Sequence, residues 1–178
     1  MGGRDLGVLS KQVHPAPGLD VSVVIKCAPG RVLKAFFDAD ALGAWWQAAH
    51  SVTTPRALGP YAIEWAPTDF RDEVLGRLGG VFRGTVMQFD PGRGFFLADV
   101  FYLPPDGEPI GPMALEVTLT PVALASAGAS AAPGDNAAVE VRMVQTGFEE
   151  SARWRRYYEV MGAGLERALH SLKMLLEK

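Results

Sequence analysis

Cysteine is nearly absent: Cys27 stands alone among 178 residues, so no internal disulfide can brace the fold. Long hydrophobic runs are missing too. The best candidate, Phe95 to Leu103, is broken by Asp99, and a bilayer-crossing helix needs roughly 20 apolar residues. No membrane association is expected. The N-terminus (Met1-Gly2-Gly3-Arg4-Asp5) lacks the apolar stretch of a secretory leader, and Leu6 occupies the position where a myristoylation signal wants Ser or Thr. With a lone cysteine, these absences point to a cytoplasmic location. A basic excess is also lacking, since the formal net charge is -3; nucleic acid is therefore not an expected partner.

Marks of chemistry are equally scarce. His14, His50 and His170 are scattered, with no carboxylate or cysteine at ligand spacing, so no metal site is assigned. No glycine-rich phosphate loop precedes a helix, and no Ser/His/Asp arrangement is suggested. The reading assigns no cofactor and no catalytic residue.

What is present is a folding pattern. A hydrophobic fraction of 48% with 21% charged residues is that of a folded globular protein. The length suits one domain, residues 19–178, after a tail of residues 1–18. Leu19 to Cys27 reads as a strand with Val21, Val23, Ile25 and Cys27 on its inner face. Ala28-Pro29 opens a helix carrying Val32, Leu33, Phe36 and Phe37, and Asp38 is the expected N-cap of a second short helix, Ala39 to Trp46. Extended segments follow: one between Ala48 and Ala66, with Tyr61, Ile63 and Trp65 alternating; then Val81 to Asp90, Gly94 to Leu103, Pro112 to Val122 and Ala137 to Gly147. Short turns between neighbours imply an antiparallel meander.

Two segments interrupt the pattern. Thr68 to Gly80 is charged and glycine-punctuated, an excursion suited to a lid. Ala123 to Asn136 is small, low in complexity and expected to be a mobile loop. The chain closes with Ser151 to Lys178, where Trp154, Tyr158, Met161, Leu165, Leu169, Leu172 and Leu176 recur at steps of three and four, the signature of a long amphipathic helix. The fold class expected is α+β: a strand, two short helices, about six further strands forming a curved antiparallel sheet, and a long C-terminal helix gripped by it.

The residues carrying that order resemble the START-like superfamily, also called SRPBCC or the helix-grip fold. Within it they resemble the family named after the activator of the ninety-kilodalton heat-shock protein ATPase. The resemblance runs from Leu19 to Glu177. It rests on Ile25-Lys26-Cys27-Ala28-Pro29 with Arg31-Val32, Ala41-Leu42 leading to Trp45-Trp46, Gly84-Thr85-Val86 with Asp90-Pro91, Gly147-Phe148, and Gly164 followed by Leu169, Leu172 and Lys173. The chain has Gly164-Leu165 where the family often carries Gly-Trp. The resemblance covers the helix-grip module alone, so it implies no chaperone stimulation. It does imply a cavity between sheet and last helix for an apolar molecule.

Charged residues mark the outer parity of each strand, because burying an unpaired charge is costly. Glu116 outside places Met113, Leu115, Val117 and Leu119 inside. Glu140 and Arg142 outside place Val139, Val141, Met143 and Gln145 inside. Asp99 outside places Phe96, Ala98, Val100 and Tyr102 inside, and Arg83 outside places Phe82, Val86 and Gln88 inside. Tyr61, Gln88, Tyr102 and Gln145 are then polar groups on apolar walls, the usual make-up of a small-molecule site. The alternative is that they are core residues with satisfied hydrogen bonds, and the grip architecture favours the cavity. Trp45 and Trp46 sit near the mouth, and because adjacent helical positions face about 100° apart, only one is expected to point fully inward. The ligand-binding set is thus Trp45, Trp46, Tyr61, Trp65, Phe82, Gln88, Ala98, Tyr102, Met143, Gln145, Trp154 and Tyr158.

Arg153-Trp154-Arg155-Arg156-Tyr157-Tyr158 is the one basic and aromatic cluster. Pairing of Glu149 with Arg153 and of Arg155 with Glu159 accounts for it more simply than an anionic ligand does. The function expected is non-catalytic binding of a hydrophobic or amphipathic small molecule. The alternatives are a cyclase- or hydrolase-like enzyme using Tyr61, Tyr102 or His50 for proton transfer, and a protein-interaction module whose partner the sequence does not name.

Overall fold

The computed structural model describes Ser10–Lys11, residues 18–124 and residues 137–178. The low-complexity segment Ala123 to Asn136 lies, from residue 125 onward, outside the described residues, as do His14 and the rest of the tail apart from Ser10–Lys11 and Gly18.

Strand β1 (Ser10–Lys11) pairs with β2 (Leu19–Ile25), whose alternating Val21, Val23 and Ile25 are buried as the sequence pattern requires. Ala28 in extended conformation and Pro29 at the first helical position start α1 (Pro29–Ala35). Asp38 accepts a hydrogen bond from the Ala41 backbone N–H at 2.9 Å and caps α2 (Ala39–Trp45), the expected N-cap geometry. Then come β3 (His50–Thr53) and β4 (Pro60–Trp65). A small separate hairpin follows, β5 (Arg71–Asp72) and β6 (Gly76–Arg77). The meander resumes with β7 (Gly80–Asp90), β8 (Gly94–Leu103), β9 (Ile110–Val122) and β10 (Ala138–Thr146). Helix α3 (Ala152–Leu176) ends the fold.

Among the described residues the main sheet has eight strands in the order β1-β2-β10-β9-β8-β7-β4-β3, every pairing antiparallel. Helix α3 has 25 residues, about 37 Å at 1.5 Å per residue, and lies along the inner face of the sheet. Its C-terminal end is tied to β2. Lys173 Nζ donates to the Val24 carbonyl at 2.8 Å, and Glu177 accepts from the Lys26 backbone N–H at 2.7 Å. At the opposite end Ser151 caps the helix by accepting from the Trp154 N–H. The buried stripe is wider than predicted: Tyr157, Gly162 and Ala168 join Trp154, Tyr158, Leu165, Leu169, Leu172 and Leu176, while Met161 is only partly buried.

The parity reading holds on β2, β9 and β10 and fails on β7 and β8. The β8–β9 register shifts between Leu97 and Val100, where Asp99 adopts a positive φ of 56°. That left-handed conformation is one that Asp tolerates better than most residues, and the bulge it makes reverses which parity faces inward. Upstream of Asp99 the inner residues are therefore Phe95 and Leu97, not Phe96 and Ala98; downstream they are Val100 and Tyr102, as expected. A second register shift between Val86 and Gln88 turns Gln88 to solvent, where its amide donates to Asp90 at 2.6 Å, and brings Phe89 against the core instead.

Candidate functional site

The interior between sheet and helix has two ends. One lies under α1 and α2 and is built from interlocking rings. Phe37 sits edge-on to Tyr61, Phe89 and Phe95 at centroid distances of 5.4, 5.4 and 4.9 Å. Phe36 meets Trp45 at 5.0 Å. The polar atoms here are used up on backbone: Tyr61 Oη donates to the Phe36 carbonyl at 2.9 Å and Trp45 Nε1 to the Ala35 carbonyl at 2.9 Å. Burial pushes the Tyr61 phenol far above its ordinary pKa, so it stays protonated.

Both tryptophans of the predicted pair point inward, contrary to the sequence expectation. Trp45 ends α2, but Trp46 is the C-cap with φ -105° and ψ 1°, outside helical geometry, so the 100° rule does not separate them. Their rings stack at 4.8 Å and 16°. Trp46 also meets Trp65 and Phe82, and its carbonyl accepts from Trp65 Nε1 at 2.8 Å. These rings link the aromatic end to the other one.

The second end lies beneath the β5–β6 hairpin, beside the first turns of α3. Tyr102, Tyr157 and Tyr158 form a chain of rings spaced 5.4 and 5.3 Å apart. Gln145, on the inner face of β10 and 3% exposed, donates its amide to Tyr157 Oη at 2.8 Å and to Met113 Sδ at 3.0 Å. Tyr158 Oη donates to the Gly147 carbonyl, and Tyr102 Oη to the Gly79 carbonyl at 2.6 Å. Desolvation raises all three phenols, Tyr158 to about 12. Met143 and Trp154 are buried nearby in the same core.

The hairpin covers this end. Gly79 and Gly80, with φ of 110° and 95°, set its root: a Cβ at Gly79 would fall 2.6 Å from the Ala66 carbonyl oxygen, and one at Gly80 would fall 2.2 Å from that of Leu103. Only glycine allows the chain to pass so close in that conformation. The tip is held mainly by ion pairs. Buried Asp72 receives Arg156 Nε at 2.8 Å and Nη2 at 2.7 Å, and also accepts the Val74 and Leu75 N–H groups. The Arg156 hydrogen bonds, foremost among these contacts, hold the Asp72 carboxyl down to about 2. Arg71 pairs with Asp106 at 2.9 Å on the β8–β9 turn, and Arg153 donates to the Glu108 carbonyl. Arg155 pairs with Glu150, so the arginine cluster is satisfied by partners other than those expected.

One hairpin side chain enters the core. Leu75 is 4% exposed and packed with the interior, yet it also lines a recess of about 560 Å3 whose walls include Arg71, Val74, Asp106 and Arg153. Leu75 is thus a plug between that recess and the interior. Phe70 and Val74 on the same hairpin are exposed apolar residues. A second cleft of about 380 Å3, lined by Leu33, Phe37, Phe89 and Pro91, lies outside α1.

Of the twelve predicted residues, ten line the interior and two, Gln88 and Ala98, lie on the other side of the sheet for the bulge reasons given. The sequence reading missed Tyr157, Asp72 and Leu75. Tyr157 was signalled by its place three residues after Trp154; nothing in the sequence pairs Asp72 with Arg156, 84 positions away.

Among the described residues no helix is long and apolar enough to cross a membrane. No family model matches the chain, and no curated protein matches its sequence. Solved structures do match its shape. A protein from Rhodobacter sphaeroides superposes with a TM-score of 0.65 at 17% identity, covering 94% of this chain and 98% of that one. A protein from Mesorhizobium loti gives 0.59 at 20%, covering 88% and 96%. The Aha1 dimer from Colwellia psychrerythraea gives 0.58 at 18%, covering 90% and 96%. At these identities the likeness is one of architecture, and the chain has the helix-grip fold.

Proposed function

We propose that this protein binds an apolar or amphipathic small molecule at the hairpin end of the interior, without performing chemistry on it. The observation that supports this most is the hairpin itself. It covers an inner surface of aromatic rings and a few convergent polar groups, the composition of a small-molecule site. Its hold depends on a few separate contacts: the exposed Arg71–Asp106 pair, the half-buried Asp72–Arg156 pair, the Tyr102 bond to Gly79 and one leucine. An exposed pair such as Arg71–Asp106 contributes little to stability, typically about 0–1 kcal/mol, and these few contacts can be broken one by one, whereas opening the ring-packed end disturbs many at once. The recess beside Leu75 would be the way in, with Val74 as the apolar part of its rim.

The enzymatic alternative has less behind it. A proton-transfer group works best with a pKa near the working pH. Tyr61 and Tyr102 both donate to backbone carbonyls and are shifted upward, away from that range. His50 is exposed on β3, where nothing converges on it from the tyrosine cluster.

The test is a titration with N-phenylnaphthylamine, an apolar fluorophore that brightens on leaving water, run beside native mass spectrometry of protein purified directly from cells. One saturable site with micromolar affinity is expected, since a drug-sized apolar ligand gains only about 0.3 kcal/mol per heavy atom. Absence of both dye binding and any copurified mass would remove the proposal.

A further inference from the structure

The four tyrosines of the chain use their hydroxyls unequally. Tyr61, Tyr102 and Tyr158 each donate to a backbone carbonyl: those of Phe36, Gly79 and Gly147. Tyr157 does not. It is fully buried, it accepts the Gln145 amide at 2.8 Å, and among the described residues its own hydroxyl proton has no acceptor. A phenol is both donor and acceptor, so half of this group's capacity is unused in a place water does not reach. Turning the Gln145 amide over would not mend this cheaply. Its carbonyl oxygen would then face Met113 Sδ, now 3.0 Å from the nitrogen, and an N–H···S hydrogen bond would become a contact between two electron-rich atoms.

The surroundings narrow what could complete the group. Burial keeps the Tyr157 proton in place at any ordinary pH, so it acts as a donor and not as a base. Two cations lie close: Arg156, engaged by Asp72 and Glu159, and Arg153, which lines the recess, acts on Tyr102 and donates to the Glu108 carbonyl. A carboxylate at Tyr157 would have to draw Arg153 away from the Glu108 carbonyl for its counter-charge, whereas a neutral carbonyl needs none. We infer that the molecule bound under the hairpin carries a neutral carbonyl oxygen, as in a ketone, ester or lactone, and that Tyr157 Oη–H is the donor that orients it. Its apolar body then lies along Met113, Tyr102 and the space Leu75 vacates.

This rests on the binding proposal above, and two probes separate the failures. Prodan, a naphthalene ketone, and carbonyl-free N-phenylnaphthylamine are titrated into wild type and Tyr157→Phe, which removes only the oxygen and its proton. Losing one neutral hydrogen bond weakens prodan about fivefold and shifts its bound emission to the blue, while N-phenylnaphthylamine stays within about twofold. Equal prodan affinity and colour in both proteins would overturn the carbonyl inference and leave the binding proposal standing. Equal weakening of both probes would also overturn it, by making the hydroxyl a packing element. Failure of both probes to bind wild type would sink both ideas. If Tyr157→Phe does not fold, the infrared C=O stretch of prodan in the wild-type protein decides: a hydrogen-bonded, lowered frequency is expected, and the value seen in hydrocarbon solvent would contradict the inference.

Discussion

Both ends of the interior are built largely of rings but are locked in different ways. Under α1 and α2 the contacts are ring against ring, and polar handles bond to the backbone of the same packed elements, as Tyr61 does to Phe36 and Trp45 to Ala35. Under the hairpin, Tyr102 and Tyr158 also reach backbone carbonyls, but Gln145 bonds to Tyr157 and Met113 side chain to side chain, the cover is an excursion from the sheet, and its tip is fixed to α3 by Asp72 and Arg156. Dense ring packing gives up many contacts at once when disturbed, whereas the hairpin is held at a few separate points. The comparison assigns shape to the first end and access to the second.

The sharpest way to break this comparison is to cut the rigid end. Trp45→Ala should cost about 3–5 kcal/mol, measured by chemical denaturation, and should not improve dye binding. A loss under about 1 kcal/mol, or tighter dye binding, would mean that the aromatic end is the adaptable one. Removing the plug comes next. Leu75→Ala should cost about 2–3 kcal/mol, toward the low end for a buried leucine because the recess already reaches it, and should speed N-phenylnaphthylamine association in stopped flow. Unchanged association would separate Leu75 from the route of access.

Unlatching the hairpin is milder. Asp72→Asn, whose single oxygen can accept either from Arg156 or from the Val74 and Leu75 N–H groups but not from both, should cost about 1–3 kcal/mol and raise dye exchange rates. The same latch predicts a pH effect. The Asp72 carboxyl titrates near 3.8 when unfolded and about 2 when folded, so its contribution is complete above pH 4 and is lost as pH falls toward 2. Wild-type dye exchange should accelerate across that window, and Asp72→Asn should lack that acceleration. An equal response in the variant would assign the acid effect to other carboxylates.

Most of the architecture was legible because it depends on period. Strands with one buried face write alternation, and a 25-residue helix writes a stripe. The parity argument gave the correct inner residues wherever the ladder is regular, including Gln145, Met143 and Met113. It failed at Ala98 and Gln88 because one extra residue in a ladder reverses every side chain beyond it, and Asp99 looked like an ordinary surface charge although it is the bulge residue itself. Trp46 was misjudged because a helix ends one residue before it. The hairpin latch was illegible for another reason: attraction between two charges distant in sequence leaves no pattern in either neighbourhood.

The claim that ligand enters and rests under the hairpin is tested most directly by amide hydrogen exchange with and without saturating N-phenylnaphthylamine. In the free protein, residues 70–79 should exchange faster than α1 and α2. On binding, protection should appear in that hairpin, at Tyr102 and through residues 153–158. Protection confined to the outer cleft around Leu33 and Phe89, with the hairpin unchanged, would contradict the account.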